Sequence, residues 1–106
     1  MVKVHLMSIR KEQIEFFTTY HDQLNAIYEQ YHVDTDHVYI NFQFGGNIYI
    51  YVKFTDGKYD DLRHIIGLEE SLVKFCYKYG FIYNIRICGI IIAGQIVTPP
   101  ETSIKF

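Results

Sequence analysis

The sequence contains only two Cys, two Pro and no Trp, and its formal net charge is -2. With only Cys76 and Cys88, it predicts two reduced thiols inside a cell; a bridge between them is the alternative if the source is a hyperthermophile. So small a net charge gives the whole molecule no field that attracts phosphate backbones or anionic membranes. Any contact with nucleic acid must therefore come from a local patch.

Long apolar runs are also missing. The run 90–92 is soon interrupted by Gly94 and Gln95, so no segment is long enough to span a bilayer. The first residues, Met-Val-Lys-Val-His-Leu, lack the apolar core and the cleavage site of a signal peptide. The sequence therefore predicts a cytoplasmic protein, in the host cytoplasm if it is viral, without membrane contact.

Catalytic signatures are the third absence. The chain contains no P-loop, no Gly-x-Ser-x-Gly elbow, no His-Glu-x-x-His motif and no Cys-x-x-Cys motif. We therefore predict a non-enzymatic protein with no catalytic residue, no cofactor and no bound metal. If an active site exists, we expect it where His5, Tyr49 and Arg86 converge on one face of the predicted sheet.

One loop nevertheless concentrates side chains of the kinds that bind metals. It contains His32, Asp34, Asp36 and His37. Imidazole nitrogens and carboxylate oxygens can coordinate a divalent cation. Their spacing matches no specific metal motif, and a solvated polar loop at the end of a helix explains them equally well.

Aromatic and apolar side chains are what the chain has in quantity. Its 106 residues are 49% hydrophobic, 21% charged and 17% aromatic, with ten Tyr. This length and composition fit one folded domain, and the abundant Ile and Tyr favour the half-buried surface of a sheet. The composition also favours amino acids with A+T-rich codons, which fits a small accessory protein of a phage, an archaeal virus or a plasmid.

Side-chain periodicity predicts the first half of the fold. A short alternating strand at 2–7 precedes a long amphipathic helix at 10–31. Two further alternating runs, 38–44 and 48–54, flank a Gly-Gly-Asn loop. They predict a β-hairpin, because Gly and Asn adopt the positive φ angles that such a turn needs.

The second half repeats a helix and a strand. An apolar stripe predicts a helix from about residue 62 to Tyr79, with Gly67 as a point where it could kink and Gly80 as its stop. The Ile-rich span 81–97 predicts a strand, with Gly89 or Gly94 marking a bulge or a turn into a further short strand.

The predicted order is strand, helix, strand, strand, helix, strand. This βαββαβ order is that of the ferredoxin-like α+β fold, in which two helices cover one face of an antiparallel sheet. We assign residues 1–98 to a single domain, with room for an extra short C-terminal strand. Residues 99–106, which begin with Pro99-Pro100, are assigned to a mobile tail.

Alternation in the hairpin assigns the two faces of the sheet. The aliphatic and Phe side chains at the even positions point towards the helices. The opposite face carries a polar, aromatic and mildly basic set of side chains. Its predicted members are Lys3, His5, Tyr39, Asn41, Tyr49, Tyr51, Lys53 and Arg86.

The third predicted strand resembles the RNP1 signature of RNA-recognition motifs. The aromatic and Val positions of that signature are occupied by Tyr49, Tyr51, Val52 and Phe54. Asn47 stands where the signature has a basic residue. The resemblance implies a sheet that stacks unpaired bases on tyrosine rings and contacts their phosphates through Lys and Arg.

Two binding functions are compatible with such a face. The leading hypothesis is a small binding or regulatory protein that forms a homodimer or contacts a protein partner through this face, since Tyr is enriched at interfaces. The alternative is a module for single-stranded RNA or DNA that uses Tyr49, Tyr51 and the neighbouring basic side chains. Plain exposure of the face to solvent is the third option.

Overall fold

The computed structural model describes the backbone of residues 2–92 and 95–106, and the side chains of 10–43, 45–90 and 96–106. The helices and strands, in chain order, are α1 (Val2–Thr19), α2 (His21–Gln30), β1 (Val33–Phe42), β2 (Asn47–Phe54), α3 (Leu62–Lys78), β3 (Asn84–Gly89), β4 (Ile91–Ile92), β5 (Gln95–Ile96) and β6 (Ile104–Lys105). Short 3-10 turns lie at Phe44–Gly46 and Gly57–Tyr59. The fold is therefore α+β, as the sequence predicts.

Four strands form one mixed sheet in the order β3-β2-β1-β6. β1 is antiparallel to both β2 and β6, whereas β2 and β3 are parallel. The parallel pair follows from the connection, because α3 carries the chain back to the end of the sheet where β2 begins. The prediction of a purely antiparallel sheet is therefore wrong. A separate antiparallel pair, β4 and β5, follows β3 after Gly89, whereas Gly94 lies outside the described residues.

The segment 2–7, predicted as a strand, belongs to helix α1. No Gly or Pro interrupts residues 2–19, so nothing in the local sequence ends the helix there. In the sheet, β2 lies between β1 and β3, and β6 pairs with the other edge of β1. The ferredoxin-like βαββαβ order is therefore wrong for this chain, and Lys3 and His5 lie in a helix instead of on the sheet.

The long helix predicted at 10–31 is divided in two at Tyr20, whose φ and ψ are -98° and 21°. Hydrogen bonds continue across the break, since Tyr20 N donates to Phe16 O at 3.0 Å and Leu24 N donates to Tyr20 O at 2.9 Å. Thr18 Oγ1 donates to Ile14 O at 2.9 Å. A hydroxyl bonded back to the preceding turn in this way commonly bends a helix.

The predicted hairpin and its two faces are confirmed. Val38, Ile40, Ile48, Ile50 and Val52 are all 0% exposed, and Ile40 is paired directly with Ile50. The helical layer that covers them contributes Phe17, Leu24, Tyr28, Leu68, Leu72 and Cys76, which are at most 2% exposed. Burial of a large apolar side chain contributes roughly 1.5–3 kcal/mol, so this contact between sheet and helices is the main source of stability.

Helix α3 begins and ends as predicted and is not divided at Gly67. The Asp61 side chain accepts a hydrogen bond from His64 N at 2.9 Å, and Gly80 has a φ of 78° beyond the last turn. A Cβ on Gly67 would lie 3.2 Å from Tyr31 Cε1. Tyr31 also shares a 2.6 Å hydrogen bond with Ser71 one turn further along α3. Gly67 therefore makes room for the tyrosine ring within one continuous helix.

The hairpin turn gives a matched pair of substitutions. Gly45 and Gly46 have φ angles of 80° and 79°, but a Cβ on Gly46 would lie 2.8 Å from Tyr83 Cδ1, whereas one on Gly45 has only Asn47 Nδ2 at 3.9 Å. We expect Gly45→Ala to lower the free energy of unfolding by about 1 kcal/mol through backbone strain. Gly46→Ala should cost at least about 1 kcal/mol more. Urea denaturation of both variants measures the difference, and equal costs would contradict the contact with Tyr83.

Candidate functional site

The sheet presents a set of polar and aromatic side chains on the side opposite the helices. Residues paired directly across strands point to the same side, and the pairs are Tyr39 with Tyr51, Asn41 with Tyr49, and Tyr49 with Arg86. Lys53 follows Tyr51 by two residues in β2 and shares its side. We call these six residues, Tyr39, Asn41, Tyr49, Tyr51, Lys53 and Arg86, the tyrosine face.

The sequence therefore identifies most of this face, but it does not predict Lys105, nor Cys88, which pairs with Tyr51. The backbone of Lys3 and His5 lies in α1 and not in a strand of the sheet, and their side chains are outside those described. The cleft predicted from His5, Tyr49 and Arg86 therefore lies partly outside the described side chains. Lys105 is paired directly with Tyr39 and was not predicted.

Accessibility is uneven across the tyrosine face. The three Tyr and Lys53 are half-buried, and the Arg86 side chain is 71% exposed. Burial raises the pKa of the Tyr51 hydroxyl, with smaller effects from Cys88 and Tyr49. Asn41 differs from the others because it is only 5% exposed. Another segment of the chain must therefore cover the Asn41 side chain.

The cover is the segment 97–103, which we call the strap. The chain leaves β3 at one edge of the sheet and returns as β6 at the opposite edge, so it must cross a face. Asn41 Nδ2 donates to Thr102 Oγ1 at 2.8 Å and to Ser103 Oγ at 3.4 Å. These bonds place the strap on the tyrosine face, over its β1 side.

β6 anchors the far end of the strap. Phe106 N donates to Val38 O at 3.0 Å, and the Phe106 ring lies 6.2 Å from that of Phe42 and 6.0 Å from that of Phe17. Residues 99–106, predicted as a tail after the domain, thus complete the sheet at one edge; their mobility stays a prediction. The alternation of Ile104 and Phe106 with Lys105 is the one sequence signal for this strand, and it is too short to be distinctive.

The opposite edge of the sheet is capped by a carboxylate. Glu69 Oε1 on α3 accepts a hydrogen bond from Ile87 N at 3.1 Å, and Glu69 Oε2 lies 3.8 Å from Arg86 Nη1. An acceptor at this position occupies a backbone donor that would otherwise be open to another strand. It also offsets part of the positive charge that Arg86 brings to the tyrosine face.

The polar loop before the hairpin forms hydrogen bonds within itself. Asp34 accepts from Asp36 N at 3.0 Å and from His37 Nδ1 at 2.9 Å. The backbone N–H of Asp36 and the His37 imidazole lower the pKa of the Asp34 carboxyl, with a smaller effect from Lys53. His32 instead stacks on Tyr59, with ring centroids 4.0 Å apart. Among the described side chains, no three of His, Cys, Asp or Glu are grouped to hold a metal ion.

The two cysteines are free thiols in different environments. Cys76 is 1% exposed in the core, and burial raises its pKa to about 12. Cys88 is paired directly with Tyr51 and is half-buried; burial, together with Glu69, raises its pKa as well. A raised pKa disfavours the reactive thiolate, so neither group is prepared to act as a nucleophile.

No protein-family model matches this chain, and no match was found among curated proteins or solved structures. Within the described residues, no helix has the length and apolarity needed to cross a membrane. The function must therefore be argued from the tyrosine face and the strap themselves.

Proposed function

We propose that this chain is a non-enzymatic binding protein whose tyrosine face associates with a second copy of the same chain. The supporting observation is the pair of cross-strand rows in which Tyr39 lies opposite Tyr51 and Tyr49 lies beside Arg86. Tyr combines a large apolar area with a polar tip, and Tyr and Arg are both enriched in interface cores.

The charges around the face favour a copy of itself over a polyanion. Three basic side chains, Lys53, Arg86 and Lys105, belong to the face or its edge. Three carboxylates accompany them. Asp34 lies near Lys53, Glu69 lies 3.8 Å from Arg86, and Glu101 belongs to the strap. A surface with both signs can pair with its own two-fold copy.

The test of this proposal is the mass in solution. Size-exclusion chromatography with light scattering should give twice the mass of one chain, decreasing on dilution. Tyr49→Ser combined with Tyr51→Ser should weaken association by at least about 10-fold, because two central aromatic contacts are lost. The fold should persist, since the buried side of β2 is unchanged.

Tyr77→Ser is the matched control. Tyr77 is 61% exposed on α3, on the helical side of the sheet. The control variant should associate as the unmodified chain does. A monomeric unmodified chain at high concentration would disprove the proposal, as would a double variant that associates with unchanged affinity.

Single-stranded nucleic acid is the second candidate, and one observation favours it. Tyr49 and Arg86 are direct cross-strand neighbours, which places a stacking ring beside a guanidinium group. Salt-dependent binding of labelled oligo(dT) and oligo(U), abolished by Tyr49→Ser with Arg86→Gln, would support this alternative. Our proposal expects no binding above the level of the double variant.

A further inference from the structure

A cavity of about 410 Å³ lies between the strap and the sheet. The sheet contributes His37 and Tyr39, and Ile90 lies beside them. The strap contributes Pro99, Pro100, Glu101 and Ser103. The volume falls in the range of roughly 300–1,000 Å³ that is usual for small-molecule sites.

The hydrogen-bond donors around this cavity are largely occupied. Ile90 N donates to Val52 O at 2.8 Å, and Ser103 N donates to Pro100 O at 2.9 Å. Pro99 and Pro100 have no backbone N–H at all. The backbone around the cavity is therefore poor in free donors.

The contact between His37 and Asp34 determines which nitrogen of the imidazole carries a proton. Its Nδ1 lies 2.9 Å from Asp34 Oδ2. The Asp34 carboxylate is held by Asp36 N and stays ionised at neutral pH, so it can only accept, and Nδ1 must carry the proton. In the neutral imidazole, Nε2 is then an acceptor.

The remaining polar groups are acceptors or can act as acceptors. Glu101 contributes a carboxylate and Tyr39 and Ser103 contribute hydroxyl oxygens. Among the described residues that line the cavity, Glu101 is the one carboxylate and none is Lys or Arg. This lining offers an anionic ligand no ammonium or guanidinium group, whereas it offers a cation both a carboxylate and an aromatic ring.

We propose that this cavity binds a primary ammonium group carried on a small apolar body. The ammonium donates to Glu101 and the neighbouring acceptors, while the body packs against Tyr39, Ile90 and the two prolines. The source of the amine is either a free small molecule or a Lys side chain of a bound protein. The site shares Tyr39 with the tyrosine face but lies on the strap side of it, away from Tyr49 and Arg86, and its chemistry does not require self-association.

Benzylamine is a suitable probe, with benzyl alcohol and benzoate as its neutral and anionic counterparts. In titrations of ¹⁵N-labelled protein, benzylamine should bind at roughly millimolar concentration, as expected for so small a ligand. Its amide chemical-shift changes should centre on residues 37–39 and 101–103. Benzyl alcohol and benzoate should bind at least about 3-fold more weakly.

Two substitutions test which side chains bind the amine. Glu101→Gln should weaken benzylamine about 3- to 10-fold, because the carboxylate is exposed and its charge is partly screened. Tyr39→Leu should weaken it by about 3-fold through loss of the aromatic face. Glu70→Gln removes an exposed carboxylate on α3, on the other side of the sheet, and should change nothing.

The site would be disproved by equal affinity for the three probes, by shifts centred elsewhere, or by a Glu101→Gln affinity equal to that of the unmodified chain. Cadaverine represents a free small-molecule amine. Nα-acetyl-lysine amide, whose side-chain amine is free, represents a Lys side chain of a bound protein. Tighter binding of the diamine indicates a free amine, and tighter binding of the lysine derivative indicates a protein side chain. Absence of binding by both, and by benzylamine, rejects the proposal.

Discussion

Ile50→Ala should lower the free energy of unfolding by about 3–4 kcal/mol. Ile50 lies in the middle of β2, is 0% exposed, and is paired directly with Ile40 on one side and Ile87 on the other. Removal of its side chain leaves a cavity that strand neighbours and helices cannot close without distortion. Since domains of this size are stable by only about 5–15 kcal/mol, the loss is a large share of the total.

The adjacent residue tests the same strand from its other side. Tyr49 is half-buried on the tyrosine face, so Tyr49→Ser should cost about 1 kcal/mol or less in a monomeric chain. Urea denaturation at low protein concentration measures both variants without a contribution from association. Similar costs for the two would contradict the assignment of the faces.

Alkaline pH should also lower the free energy of unfolding, by less than Ile50→Ala and by more than Tyr49→Ser. Burial raises the pKa of Cys76 from 9.0 to about 12. Below pH 9 both the folded and the unfolded chain keep the proton, so the stability is fully present. Above pH 9 the unfolded thiol ionises while the folded one does not, and stability falls until the pH passes the folded pKa.

Between pH 7.5 and 10.5 the expected loss from Cys76 is about 2 kcal/mol. Burial also raises the pKa of the fully buried Tyr28 hydroxyl, which adds to the loss from about pH 10 upwards. Denaturation under reducing conditions at several pH values measures the slope. It should become much shallower in Cys76→Ala and change less in Cys88→Ala, since Cys88 is only half-buried. A slope that Cys76→Ala leaves intact would show that other groups cause it.

Much of the site could be predicted because it depends on short-range pattern. Tyr39, Asn41, Tyr49, Tyr51 and Lys53 belong to two runs whose alternation extends over many residues, and a strand with period two leaves each side chain only two directions. Arg86 follows from the same alternation in β3. The predicted strand at 2–7 was wrong, because its alternation covers too few residues to distinguish a strand from the start of a helix.

The strap was not predicted, although it defines both the covered part of the tyrosine face and the proposed amine site. Its contact with the sheet joins Asn41 to Thr102, 61 residues apart in sequence. Such a bond carries no local signal, and the strand that holds the strap, β6, has only two residues. The pair Pro99-Pro100 correctly marks an interruption of regular structure, but an interruption does not show where the chain continues.

The sequence by itself determined the α+β class, the hairpin with its buried and polar sides, and the boundaries of α3, because each is written in spacing, turn glycines and caps over neighbouring residues. Only the tertiary structure decided that β3 runs parallel to β2, that the first residues are helical, and that the C-terminal segment crosses the tyrosine face. Those features depend on which edges and faces are free once the hairpin and helices have packed. That choice is made by contacts between distant parts of the chain, for which no local pattern exists.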